Sequence, residues 1–444
     1  MRHYITTSIF AVFTFLHVIN SSAQPLKLVS SQNYEGYEID LWGYVDQNEN
    51  EYILIGSDTA LYIVNVNTPV NPQLVSTIIM PGSIGFGAFD VKVWQNYAYV
   101  VSGSALDTGL IYDISNPQNP KRAGKFPDSH NIFISPGGYL ITEGPKMKIF
   151  NLNNSPVDPE LIYSTSDNDG HDAAVIGDRL FDFHGGLGTN IYSTSNMSNP
   201  VLLGNIPATI SGYSHSGWVT DDGNFLLVSC EICDYPDLSM WDIRDYNNMI
   251  LTDVFDDTST STHNVQIRGS YAFVSSYRSG LRVFKISDPF NIRLVAEYDP
   301  EPGSQTGFSG TFGVYVFSES GYIFASDSYE GLMIFEFDST QVSVQNISSE
   351  IPESYTLHQN YPNPFNPVTR IRFEIPSGVR GERSEVRLSV FDVTGREVAE
   401  LVKGELQAGV YEYEFDGTGL GSGVYFYKLQ SGEFSETRRM VLVK

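Results

Sequence analysis

The chain has 444 residues, 41% hydrophobic and 13% aromatic, enough apolar material to bury more than one core. With 26 basic and 52 acidic residues its formal charge is −26, and no Lys/Arg cluster interrupts the acidity, which excludes a phosphate-backbone partner. Divalent cations, cationic surfaces or plain solvation are the roles left for that charge. From Glu350 onward there are 11 basic and 14 acidic residues, leaving 15 and 38 upstream, so the acidity belongs to the earlier region.

At the N-terminus Arg2 and His3 precede an apolar run, Ile9–Ile19, and then Ser21-Ser22-Ala23. This pattern predicts a secretory signal over residues 1–23, cleaved after Ala23. No other stretch approaches 18 apolar residues, so the expectation is an exported chain without a transmembrane segment.

Beyond it the sequence repeats. In Thr262–Pro289 a His-Asn pair opens an alternating run through Val265 and Ile267. Arg268-Gly269-Ser270 turns the chain, Tyr271–Ser276 is a second strand, and Leu281–Ile286 a third, ending at Ser287-Asp288-Pro289. Equivalent starts fall at Ile39-Asp40, Phe89-Asp90, His130-Asn131, His171-Asp172, His215-Ser216, His263-Asn264 and Phe312-Gly313. A period of about 40 to 50 residues is that of four-stranded propeller blades. Proline turns such as Thr68–Pro72, Asn116–Pro120 and Ser155–Pro159 end third strands before the outer ones begin. The expected fold is all-β, a seven-bladed β-propeller over residues 24–340. Leu26–Ser31 resembles the outer strands Gln73–Ile78 and Arg293–Tyr298 but precedes the first blade, so it is expected to close blade seven, with Gln341–Val344 as the rival.

Residues 341–352 read as a polar linker. From 353 to 444 the pattern changes to strands at Thr369–Ile375, Glu385–Asp392, Gly409–Phe415, Gly423–Gln430 and Thr437–Val443, the hairpin spacing of a small Ig-like β-sandwich.

Asp40–Asp46, Phe89–Trp94 with Tyr97–Val101, Ser129–Asn131 and Leu281–Pro289 resemble propellers of LVIVD repeats, in particular the bacterial choice-of-anchor B family. That resemblance covers roughly Tyr34 to Phe337 and implies a fold, with no activity to carry over. Tyr361–Pro367, Val390–Val398, Gly423–Lys428 and the basic-apolar end Arg438–Lys444 look like the type A C-terminal sorting domain of type IX secretion substrates. It implies engagement of the type IX secretion machinery and passage through the periplasm and outer membrane, to the cell surface or the medium. An accessory Ig-like carbohydrate-binding module is the alternative for this segment.

His130, His171, His215 and His263 occupy one register in consecutive blades, which places them around one rim of the central channel. With Asp40, Asp90 and Asp172 they supply the donor types for zinc, copper or another transition metal. The same residues could equally serve structure, each imidazole facing the next blade and the Asn/Asp column satisfying backbone amides. Asp167–Asp172 contains an oxygen-rich turn suited to calcium but lacks the later glutamate of an EF-hand loop. Cys230 and Cys233 are the only cysteines, read as a small loop disulfide or a redox-active pair. There is no Gly-x-Ser-x-Gly, phosphate loop or dinucleotide fingerprint. The sequence therefore predicts an exported binding or interaction module for a surface, protein or glycan ligand. A metal-dependent enzyme, hydrolase or lactonase-like, using the channel mouth is the alternative.

Overall fold

The computed structural model describes residues 25–444 except 82–86, 104–106, 145, 167–169, 233–235, 258–260, 303–306, 343, 349–350, 378–383, 407 and 418. The expected signal segment 1–23, Cys233 and residues 167–169 of the Asp167–Asp172 turn thus lie outside the described residues. Two compact units follow one another, Pro25–Asp338 and Ser339–Lys444.

The first unit contains seven four-stranded antiparallel sheets, each formed by consecutive strands except the last. Blade 1, for example, is Glu38–Val45, Glu51–Ser57, Ala60–Asn65 and Gln73–Ile79. Middle strands read as unbroken apolar runs because both faces are covered. Leu54, Leu61 and Ile63 of blade 1 share a core with Val91, Val100 and Leu110 of blade 2. Ile53, Ile55 and Val64 face the other way, onto Phe324, Leu332 and Ile334 of blade 7.

Blade 7 is completed by the N-terminus. Leu26–Gln32 pairs antiparallel with Gly331–Phe337, from Leu26↔Phe337 to Gln32↔Leu332. Its register shifts between Leu28 and Ser30, passing over Val29. The third and fourth strands of the other six blades shift in the same way, passing over Val75, Ala123, Ile162, Leu203, Thr252 and Val295. The N-terminal segment therefore reproduces the bulge of a covalently continuous outer strand, and the Leu28-Val29-Ser30 match to Leu74-Val75-Ser76 has a structural basis. The rival Gln341–Val344 does not close the ring: Ser339–Val342 is a short helical turn in the second unit.

The second unit is a sandwich of two four-stranded sheets. Phe373, Ile375 and Phe415 from one sheet pack with Leu388, Tyr427 and Leu429 from the other. Three strands lie outside the sequence reading, among them the two-residue Thr356–Leu357 paired with Val368–Ile375. Val344–Ser348, expected in the linker 341–352, pairs with Gly409–Asp416 at the edge of a sheet, where backbone pairing suffices without an apolar pattern. Glu397–Leu406 pairs with Ser384–Phe391 through a turn in which Asp392 accepts hydrogen bonds from the amides of Thr394 and Arg396. No helix among the described residues is long and apolar enough to cross a membrane.

Candidate functional site

In an antiparallel four-stranded blade, the start of the inner strand and the connection between the second and third strands lie at the same end. The register position shared by the four histidines is at that end, and the structure joins its side chains into a belt. Ring centroids run Phe89–His130 at 5.0 Å, His130–His171 at 4.6 Å, His171–His215 at 4.3 Å, His215–His263 at 4.1 Å and His263–Phe312 at 5.1 Å. Ile39 holds the equivalent position in blade 1.

Serines at the ends of second strands set the backbone of this belt. Ser229 Oγ donates to His263 O at 2.8 Å, Ser275 Oγ to Phe312 O, and Ser326 Oγ to Ile39 O at 2.6 Å, each reaching the next blade. His263 adds its own link, Nδ1 to Phe312 O at 2.9 Å, so this histidine bridges blades 6 and 7. Burial lowers the imidazole basicity of His130, His263 and His215, and carries His171 down to about 3, with neighbouring imidazoles adding to the effect for His171 and His215. The row is neutral near pH 7.

Glu231 follows the second strand of blade 5 and reaches beneath the belt. Its Oε2 lies 3.8 Å from His171 Nε2 and 3.7 Å from His215 Nε2, and its Oε1 accepts the Tyr277 hydroxyl. Nothing in the sequence marks Glu231 or Tyr277, because the connection that carries Glu231 is 60 residues from His171 and outside any repeat signature.

The acidic column next in register does not join the histidines. Asp40 and Asp90 converge on Lys92, whose Nζ is 2.9 Å from Asp40 Oδ2 and also bonded to Asp90 Oδ1, with the Trp42 ring 4.8 Å away. All three charged residues are buried. Asp90 Oδ2 accepts the amide of Ile132 in blade 3 at 2.8 Å, and Asp172 Oδ1 accepts that of Ala173 at 2.7 Å. Gly313 completes the column because a side chain could not fit: a Cβ there would come within 2.5 Å of Asp40 Oδ1. Burial pushes the Asp90 carboxyl up, opposed by Lys92 and reinforced by Asp40. Burial alone would depress Lys92, yet the two carboxylates hold it above its usual range. Asp172 is pushed up to about 7 by burial and by the Asp90 charge. The seven residues expected to share one metal site thus form two groups: a histidine belt at the rim, and a carboxylate column in which Asp40 and Asp90 share Lys92. The free space in the channel is about 50 Å3, room for a few waters.

Cys230 is buried at the end of its strand; with Cys233 undescribed, the expected disulfide stays an expectation.

Residues 87–128 and 260–300 match the LVIVD repeat, and residues 359–444 match the secretion system C-terminal sorting domain. The chain is an LVIVD-repeat β-propeller with a sorting domain of the type IX secretion system, and that domain marks it for export to the cell surface or extracellular space. Among solved structures it is similar to the β-propeller domain of Myceliophteria thermophila Cps50 (Swd1), at 13% identity over 70% of this chain and 99% of that one, with a TM-score of 0.51. A chain of the mitotic checkpoint complex is similar at 11% identity, over 75% of this chain and 99% of that one, with a TM-score of 0.50. These likenesses show the propeller fold alone. No curated protein matches the sequence.

Proposed function

We infer that the chain is an exported binding module whose propeller takes a surface, protein or glycan ligand through the face that carries the histidine belt. One observation supports this reading most: large apolar side chains stay exposed in the connections of that face. Tyr37 is 57% exposed, Phe308 58% and Ile232 55%, with Leu187, Ile210 and Tyr329 in equivalent connections. Single exposed apolar residues are ordinary, but six on one end of a ring mark an interaction surface. Beneath them the channel is lined by the Asp40–Lys92–Asp90 ion pairs and has room for only a few waters, so a ligand is met at the rim. Membership of the choice-of-anchor B family belongs to the same reading. A metal-dependent hydrolase or lactonase-like enzyme is the second reading, favoured by the approach of Glu231 to two histidines.

Labelled mature protein titrated onto washed cells of the producing organism is expected to bind saturably. Changing Tyr37 and Phe308 together to Ser should weaken binding by roughly tenfold, as loss of two aromatic anchors does, with only a small drop in thermal midpoint, since each ring is more than half exposed and its edge contact is with Tyr329 or Tyr277. Binding of the double variant equal to that of the parent would count against this face.

A further inference from the structure

The geometry points to a divalent transition-metal site, of the kind zinc occupies, formed by His171, His215 and Glu231 on the belt face of the propeller. Among the described residues these three side chains form the group whose potential donor atoms all lie within 4.8 Å of one another. The separations from Glu231 Oε2 to the two Nε2 atoms, 3.8 and 3.7 Å, are too long for hydrogen bonds. They approach what an ion needs: bonds of about 2.0 to 2.2 Å place tetrahedral donors roughly 3.3 Å apart, so the carboxylate closes by about half an ångström on each imidazole, and the two imidazoles, whose donors lie within 4.8 Å of each other, close together as well.

The surroundings suit an ion better than an empty gap. His171 and His215 present Nε2 to the carboxylate from buried positions, and His215 is only 1% exposed. Bound through Nε2, each imidazole would keep its proton on Nδ1, and for His215 the backbone of His263 is the acceptor within reach. The Tyr277 hydroxyl on Glu231 Oε1 orients the carboxylate and leaves Oε2 turned to the histidines, the outer-shell hydrogen bond expected of a ligating carboxylate. An edge-to-face contact of His171 with His130 and a tilted contact of His215 with His263 hold the two imidazoles in place. Two nitrogens and one oxygen favour zinc over calcium or magnesium, which take shells of oxygen. Three protein donors leave a position open for water or an anionic oxygen of a ligand, as in zinc sites that exchange a ligand rather than closed structural ones. The site does not depend on what else docks on the face.

The full mature chain, stripped with EDTA and dialysed against zinc sulfate, is expected to retain one zinc per chain by atomic emission. Glu231→Gln and His215→Gln, both close in size to the parent side chains, should each weaken zinc by at least about tenfold in competition with a chromophoric chelator. Zinc should raise the thermal midpoint of the parent but not of either variant, and the midpoints measured without metal separate loss of a ligand from loss of fold. A parent chain that retains no zinc would overturn the site. So would variants that hold zinc as tightly as the parent, since the ion would then sit elsewhere, for example at His358 and Glu374, 2.9 Å apart in the second unit.

Discussion

A mature chain lacking Leu26–Gln32 is expected to lose the cooperative thermal transition of its propeller. Without this strand blade 7 is left with three strands, and Gly331–Phe337 presents an unpaired edge. Leu26 is buried against Val283, Val314 and Phe335, so the deletion also opens the core between blades 6 and 7. Burial of that leucine alone is worth about 2 to 5 kcal/mol on truncation to Ala, and the lost backbone ladder adds to it. The total approaches the whole stability of a typical domain, roughly 5 to 15 kcal/mol. Circular dichroism melts of the deletion and of Leu26→Ala check this: the deletion should melt broadly or aggregate, and the point variant should melt cooperatively at a lower temperature. A deletion variant with the parent's midpoint would mean that the ring is closed without its N-terminus.

Lys92→Met is expected to be the most damaging single substitution in the channel. It leaves Asp40 and Asp90 buried without their cation, and breaking a buried pair by removing one partner costs about 3 to 5 kcal/mol. The sign of its pH dependence follows from the carboxyls. A carboxyl whose folded-state pKa lies above its unfolded value of about 4 is best tolerated when protonated, so stability is greatest at low pH and is lost as pH rises through the folded value. Burial has already raised Asp90, and removal of Lys92 takes away the charge that opposed the rise. The deficit of Lys92→Met should therefore be larger at pH 8 than at pH 5, and adding Asp40→Asn with Asp90→Asn should restore much of it. Denaturant melts at the two pH values measure this, and a deficit independent of pH would show that the loss is one of packing.

Most of the propeller was legible because each blade repeats one supersecondary unit, and the displaced Leu26–Gln32 keeps the Leu-Val pair of the outer strands Gln73–Ile79 and Arg293–Tyr298. Glu397–Leu406 escaped notice since Val398, Leu401 and Val402 fall at helical spacing; two bulges in its pairing with Ser384–Phe391 let consecutive Leu401 and Val402 both be buried. At the candidate site the histidine register was plain, whereas its carboxylate was not. Asp40, Asp90 and Asp172 are adjacent to the belt in sequence, but neighbours in a strand point to opposite faces, and Asp40 and Asp90 meet a lysine there. Glu231 comes from a connection whose position depends on the closed ring, and no local pattern could place it under His171 and His215.

An exported propeller is tested most directly by where it accumulates once residues 339–444 are deleted behind an intact signal segment. The intact chain should be recovered from the cell surface or the culture medium, and the truncated chain should be retained in the periplasm, folded, with little outside. Truncated protein appearing outside the cell in the amounts seen for the intact chain would contradict the account.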